Sequence, residues 1–148
     1  MPVYSVNKKA RFDYEILETL EAGFVLTGQE VKSIRNGGVK LTGGFITFHN
    51  DIPFLTNVNI PKYKYSGILP EYESERSRKL LLNKKEIAYL RGKSQIAGLT
   101  IVPLSIYTKG RHIKIEIGIA KGKKKYDKRK VLKKRELDRE VRRSMKDH

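Results

Sequence analysis

The sequence contains no cysteine, no tryptophan and only three histidines. Without cysteine the chain can form neither disulfides nor cysteine-ligated metal sites, it has no thiol nucleophile, and a reducing compartment fits it. Acidic residues are half as numerous as basic ones: the chain has 16 Asp and Glu and 32 Lys and Arg, which gives a net charge of +16. So large a positive charge exceeds what solubility requires. It indicates a polyanionic partner, with nucleic acid ahead of an anionic membrane surface.

Long apolar runs are missing as well. The first ten residues lack the apolar core of a secretory signal, and no window approaches the roughly 18 apolar residues of a membrane-spanning helix. We therefore expect a soluble, cytoplasmic protein. A chain of 148 residues has the size of one domain plus appendages.

The positive charge is distributed unevenly. Residues 1–120 hold 18 basic and 11 acidic side chains, whereas residues 121–148 hold 14 basic and 5 acidic ones. The second region has only a thin apolar stripe at four-residue spacing, which is too narrow to stabilise a helix in water. We predict a folded body at 1–120 and a basic C-terminal tail at 121–148 that is disordered when free and helical when docked.

Apolar alternation predicts that the body is mainly β. Positions 113, 115, 117 and 119 are all isoleucine, and they follow an apolar run at 99–107 across a Lys-Gly-Arg turn. This pattern predicts one β-hairpin. Residues 45–49 and 53–60, which flank Asn50-Asp51, predict a second.

Short helices are predicted at 28–35 and after Asn83, where Glu86 completes a capping-box pattern. Residues 22–26 predict a further strand, and residues 12–20 fit either a strand or a helix. Five or six short strands with two or three short flanking helices favour an OB-fold-type antiparallel β-barrel, a common nucleic-acid-binding fold.

Catalytic motifs are absent from the sequence. There is no Gly-x-Ser-x-Gly elbow, and the glycine-rich stretch 37–44 lacks the ending of a P-loop. Glu15, Glu18 and Glu21 could supply carboxylates to a nuclease, but metal-dependent nucleases usually gather acids from separate strands. An acidic solvent face explains Glu15 and Glu18 better, whereas Glu21 lies at a strand turn and stays open. We expect no enzyme, no catalytic residues and no metal.

Two groups of side chains suit RNA. Arg76, Arg78 and Lys79 lie in an extended segment, at a spacing that suits adjacent phosphates better than a merely solvated loop. Three tyrosines of the long loop at 61–77 could stack on unpaired bases or could cover the mouth of the barrel, and both interpretations stay open: Tyr63, Tyr65 and Tyr72.

The tail begins with "GKKKYDKR" (122–129), in which four lysines and an arginine surround one tyrosine. This composition combines attraction to phosphate with a flat ring, and Asp127 could cap a following helix. A generic basic tail is the alternative, and the order Tyr-Asp-Lys-Arg favours a segment that recognises a partner.

Five ordered motifs cover most of the chain: "NKKARFDYEI" (7–16), "EAGFVLTGQEVKSIR" (21–35), "RSRKLLLNKKEI" (76–87), "TIVPLSIY" (100–107) and "KIEIGIAKGKKKYDKR" (114–129). In these motifs the sequence resembles the SmpB (small protein B) family of tmRNA-binding, or SsrA-binding, proteins of bacterial ribosome rescue. The resemblance departs at Asn59, at 43–45 and at the loop 61–75.

The resemblance implies an RNA-binding protein that binds the tRNA-like domain of tmRNA and delivers it to stalled ribosomes for trans-translation. It ties three residues to tmRNA binding, namely Glu21, Leu81 and Lys114. It places further residues on the RNA face: Asn7, Tyr14, Lys32, Arg35, Arg78 and Lys79. It assigns the tail to the decoding centre and mRNA channel of the ribosome, with these residues in contact: Lys121, Lys123, Lys124, Tyr126, Asp127, Lys128 and Arg129.

The implied partners are tmRNA and the ribosome, through its small-subunit rRNA, A site and mRNA channel. Alanyl-tRNA synthetase and EF-Tu would be indirect partners through the tmRNA. We expect a monomer without cofactors and without a membrane partner. Two alternatives remain: a general RNA chaperone with no preference for RNA shape, and an RNA-processing enzyme that uses Glu15, Glu18 or Glu21.

Overall fold

The computed structural model describes residues 2–65, 67, 71–123, 136 and 139. Its elements, in chain order, are β1 (Val3–Val6), α1 (Lys8–Asp13), β2 (Tyr14–Phe24), α2 (Gly28–Arg35), β3 (Phe45–His49), β4 (Ile52–Thr56), β5 (Arg78–Leu81), α3 (Lys84–Ser94), β6 (Leu99–Lys109) and β7 (His112–Gly122). The last strand therefore continues two residues past position 120. No helix in the part of the chain described is long and apolar enough to cross a membrane.

The seven strands form one antiparallel sheet in the order β1-β6-β7-β2-β5-β4-β3. The sheet curls until β3 packs against β6. The prediction of a mainly β fold with two or three short helices is confirmed. The sheet is an open barrel, because no ladder joins the edge strands β1 and β3 within the described ranges.

The inner face of the curled sheet holds the main core. The alternating isoleucines of β7 all point inward, and Ile115 and Ile117 are completely buried. They pack with apolar side chains from α2, α3 and β4, among them Ile34, Leu90 and Leu55. The strict alternation in the sequence is thus explained by one buried face.

A second, smaller core lies on the outer face of the sheet, beneath α1. Ala10 of α1 packs there on Val102, Leu104 and Ala120. Residue 118 of β7 is glycine, and the Leu104 side chain of this core packs over it: a Cβ at 118 would lie only 2.8 Å from Leu104 Cδ1. Helix α1 therefore covers one half of the outer face and leaves the other half open.

The predicted helix starts and hairpins are confirmed. Thr27 and Glu30 form a capping box at the start of α2, and Asn83 and Glu86 form one at the start of α3. Both Asn50 and Asp51 have positive φ, as a two-residue hairpin turn requires.

Four elements differ from the predictions. The strand predicted at 53–60 ends at Thr56, because Asn57 has a φ of +61° and turns the chain toward a bridge between Asn59 and Lys40. The ambiguous segment at 12–20 is divided: its first two residues end α1, and the rest belong to the long strand β2, which starts at Tyr14. Neither β1 nor α1 was predicted.

Candidate nucleic-acid interface

The open half of the outer face presents one row of side chains across four strands. Leu81 of β5 and Lys114 of β7 both pair with Gly23 of β2, and Lys114 pairs in turn with Tyr107 of β6. Alternate residues of a strand point to opposite faces. Leu80, Ile115 and Ile106, which adjoin the members of this row in sequence, are buried in the core. The row itself therefore points outward.

Gly23 leaves a gap in the middle of this row. A Cβ at this position would lie 3.4 Å from Leu81 Cβ and 3.5 Å from Lys114 Nζ. The gap opens into a groove of about 210 Å³ between α2 and the β6–β7 turn. Leu26 and Val31 line its apolar side. Leu81 is 52% exposed and presents an apolar contact surface across the gap from the Lys114 ammonium group.

Glu21 lies two residues before Gly23 on the same face of β2. Its carboxylate accepts a hydrogen bond from the Tyr107 hydroxyl (2.5 Å) and one from Lys109 Nζ (3.3 Å). The bond from Tyr107 holds the pKa of Glu21 below its ordinary value, and Lys109 and Lys114 lower it further. Glu21 is therefore an oriented, ionised acceptor at the rim of the groove.

The groove is surrounded by basic side chains. Arg111, His112 and Lys114 come from the β6–β7 hairpin, and the exposed Lys79 lies on β5. Basic side chains around a partly apolar groove suit the backbone and bases of RNA. The three residues that the resemblance ties to tmRNA binding, Glu21, Leu81 and Lys114, thus lie on one surface although 93 positions separate the first from the last.

A second cleft, of about 260 Å³, lies at the end of α2. It is lined by Lys32, Arg35, Asn36 and Tyr63, and Lys32 Nζ lies 5.7 Å from the centre of the Tyr63 ring. The Tyr65 ring, 70% exposed, meets that of Tyr63 edge to face. Rings and cations at this cleft fit the stacking interpretation of these two tyrosines.

Tyr72, the third tyrosine of the loop at 61–77, has a backbone partner for its hydroxyl group. Its hydroxyl donates to the carbonyl oxygen of Ile60 at 2.6 Å. Burial raises the pKa of Tyr72, and the nearby Glu30 carboxylate raises it further. The hydroxyl therefore stays protonated and holds the loop at 71–75 to Ile60, the residue after the Asn59–Lys40 bridge.

The prediction for Arg78 needs a correction. Its side chain is fully buried, its Nε donates to Glu30 Oε2 at 2.7 Å, and one terminal nitrogen donates to the Val58 carbonyl at 3.0 Å. Burial alone would raise the pKa of Glu30, but the Thr27 backbone N–H and Arg78 together hold it below the ordinary value. Arg78 joins β5 to α2 inside the protein and cannot meet a phosphate in this conformation.

Asn7 also has a structural role rather than the predicted place on the RNA face. It is buried; its side-chain nitrogen donates to the carbonyls of Pro103 (2.9 Å) and Leu41 (3.3 Å), and its side-chain oxygen accepts from the Ala10 N–H. It therefore fixes the start of α1 to the sheet. Tyr14 is half-buried at the other end of α1, beside a cavity of about 330 Å³.

The predicted tail contacts divide into two groups. Lys121 is an exposed residue of β7, and Lys123 binds the end of α1: its backbone N–H donates to the Asp13 carbonyl (2.9 Å) and its Nζ to the Arg11 carbonyl (3.2 Å). The remaining tail predictions lie outside the described residues: Lys124, Tyr126, Asp127, Lys128 and Arg129.

The three glutamates considered for a nuclease all lie along β2. Glu18 accepts a hydrogen bond from Tyr89, as Glu21 does from Tyr107. Among the residues with described positions, no group of three or more His, Cys, Asp or Glu side chains could hold a metal ion. The exposure of Glu15 and Glu18 agrees with an acidic solvent face.

Sequence reasoning missed two contributors to this surface, Gly23 and Tyr107. Gly23 acts by lacking a side chain, and Tyr107 by orienting Glu21. The register of the predicted β6–β7 hairpin places Tyr107 opposite Lys114. Glu21 comes to lie beside Tyr107 and Lys114 only because β7 also pairs with β2. No local pattern in the sequence predicts that pairing.

Comparisons with known proteins place nearly the whole chain in one family. The family described as "SmpB protein" matches residues 4–147. The SsrA-binding protein of Enterococcus faecalis is 49% identical over 142 residues (96% of this chain, 92% of that protein), and that of Thermosipho melanesiensis 50% over 147 residues (99% of each). A chain from a solved structure described as "tmRNA-SmpB: a journey to the center of the bacterial ribosome" has a TM-score of 0.70 and 47% identity, covering 84% of this chain and 87% of that one. The chain belongs to the SmpB family.

Proposed function

We propose that this protein binds the tRNA-like domain of tmRNA and delivers it to stalled ribosomes for trans-translation. The observation that carries the proposal is the convergence of Glu21, Leu81 and Lys114 around the bare Gly23 on the open outer face. Relatives of about 50% identity are SsrA-binding proteins, and a similar solved chain comes from a tmRNA–SmpB structure.

The arrangement suits a shaped RNA better than a simple duplex. Cations around the groove attract phosphates, whereas the exposed leucine and the oriented carboxylate match only unpaired bases or sugar hydroxyls. The cleft of Lys32, Arg35 and Tyr63 extends the basic surface along α2. In this proposal Asn7 and Arg78 act indirectly, by fixing α1 and α2 beside the RNA.

The protein acts by binding alone in this proposal, with no reaction of its own. Alanyl-tRNA synthetase and EF-Tu would meet the tmRNA rather than this chain. The site of action is the cytoplasm, where bacterial ribosomes work. The tail would contact the decoding centre and mRNA channel, as the family resemblance implies.

Competition binding tests the body. The tRNA-like domain should bind more tightly than an ordinary tRNA or an unrelated hairpin of equal length. With about six phosphates contacted, affinity should fall roughly 10³-fold between 50 and 200 mM salt. Equal affinity for all three RNAs would favour a general RNA chaperone instead, and metal-dependent cleavage abolished by Glu21→Ala would favour a processing enzyme.

Truncation tests the division between body and tail. Since β7 continues to Gly122 and Lys123 binds α1, the cut should follow Lys123 and remove residues 124–148. The truncated protein should keep its preference for the tRNA-like domain and lose peptide tagging on stalled ribosomes. Loss of RNA binding as well, in a protein that still unfolds cooperatively, would contradict the division.

A further inference from the structure

Glu21 is an anion on a surface that otherwise attracts anions. A carboxylate beside phosphates costs electrostatic energy, so its partner in an RNA must be a hydrogen-bond donor. The neighbouring acid of this face, Glu116, is directed to α1, where it pairs with Arg11 at 3.1 Å. Glu21, two residues along β2 from Gly23, is directed instead to Tyr107 and Lys109 of β6.

The two bonds to Glu21 leave a defined acceptor pattern. An ionised carboxylate can accept about four hydrogen bonds, two at each oxygen. Tyr107 occupies one position on Oε2, and Lys109 one on Oε1. Each carboxylate oxygen therefore accepts one of these two bonds and keeps capacity for one more donor.

We propose that Glu21 reads the Watson–Crick edge of one unpaired guanine, and that Tyr107 is the positioning residue that orients the carboxylate for it. This inference rests on the proposed function, since it names the group of the RNA that the outer face recognises. Guanine presents two adjacent donors, N1–H and the 2-amino group, to two adjacent acceptors. Bases whose edges can be hydrogen-bonded in this way are those splayed out of a helix.

The surroundings fit this ligand. The base would lie above Gly23, where the missing side chain leaves room, and against the exposed Leu81. Lys114 Nζ, on the opposite side of the gap, can meet the phosphate of the same nucleotide. The lowered pKa of Glu21 keeps the carboxylate ionised across the neutral range, so it acts only as an acceptor.

The test uses the full-length chain and the tRNA-like domain in which each unpaired guanosine is replaced, one at a time, by inosine. Inosine keeps N1–H and lacks the 2-amino group. Three variants are compared: Glu21→Gln, Tyr107→Phe and, as the matched control, Tyr89→Phe. The control removes the same kind of bond, because the Tyr89 hydroxyl donates to the Glu18 carboxylate at 2.6 Å.

One inosine should weaken binding of the unmodified protein about tenfold. Glu21→Gln should bind the guanosine RNA about tenfold more weakly than the unmodified protein does, and replacing the same guanosine by inosine should weaken its binding no further. Tyr107→Phe should bind the guanosine RNA several-fold more weakly, and the inosine substitution should reduce its affinity less than it does for the unmodified protein. Its thermal midpoint should change no more than that of Tyr89→Phe. Tyr89→Phe should bind as the unmodified protein does.

Other outcomes overturn the inference. If every inosine is neutral, or if the inosine and Glu21→Gln losses simply multiply, the carboxylate does not read guanine. If affinity falls when a single 2′-hydroxyl of the RNA is removed, and not when guanosine is replaced by inosine, the group that donates to Glu21 is a sugar hydroxyl. If Tyr107→Phe retains the full inosine penalty and full affinity, Tyr107 does not position Glu21. An unmodified protein that shows no preference for the tRNA-like domain would instead refute the proposed function itself.

Discussion

Replacing Arg78 with methionine should destabilise the protein strongly, because it leaves the Glu30 carboxylate charged and buried. The exposed fractions are 0% for the Arg78 side chain and 1% for that of Glu30, and their closest contact is 2.7 Å. Among the residues with described positions, Glu30 would keep the half-exposed Arg76 and the Thr27 N–H as partners. Breaking such a pair from one side costs about 3–5 kcal/mol, which lowers the Tm by roughly 10–15 °C in a chain of this size.

Urea unfolding followed by circular dichroism measures this loss. The matched control is Arg91→Met, which breaks the exposed Arg91–Asp51 pair, with side chains 48% and 66% exposed, and should cost less than about 1 kcal/mol. The double variant Glu30→Gln/Arg78→Met should regain part of the stability, since no buried charge remains. A cost for Arg78→Met equal to that of the surface control would refute the reasoning.

Three further predictions follow from the same geometry. Gly44→Ala should cost about 1–3 kcal/mol in urea unfolding, because its Cβ would lie 2.4 Å from Val58 Cγ2. Gly23→Ala should leave stability nearly unchanged, since its new contact with Leu81 is 3.4 Å, but its methyl group should close the gap between Leu81 and Lys114 and weaken binding of the tRNA-like RNA several-fold in titrations. The lowered pKa of Glu30 contributes stability at neutral pH that is lost on acidification below about 4.5, so the pH dependence of unfolding should be steeper in the unmodified protein than in Glu30→Gln.

The elements predicted from the sequence are those that local physics determines. The isoleucine alternation of β7 and the turn at Asn50-Asp51 need only neighbouring residues to be recognised. The same holds for the two capping boxes, in which a side chain bonds a backbone group three residues away. Each of these signals compares residues within one strand or one turn, and all of them appear in the structure.

The errors concern residues whose partners are distant in the sequence. Arg78 and Glu30 are 48 residues apart, and Asn7 and Pro103 are 96 apart. An arginine in a basic segment resembles a phosphate ligand until α2 brings a carboxylate against it. Burial of a polar side chain depends on whether the fold supplies its hydrogen bonds, which no local pattern reveals. The short β1 and α1 escaped prediction for the same reason, since β1 pairs with the distant β6 and Asn7 fixes α1 to the sheet.

Helix α1 links the two halves of the proposed function. Its start is fixed to the sheet by Asn7, and its end receives both the backbone N–H and the side chain of Lys123. The same helix covers one half of the outer face whose other half carries Glu21, Leu81 and Lys114. An RNA held on the open half would therefore have a fixed relation to Lys123, which α1 holds by these two bonds. If the proposed function is right, binding of tmRNA by residues 1–123 would set the position on the ribosome from which the tail starts.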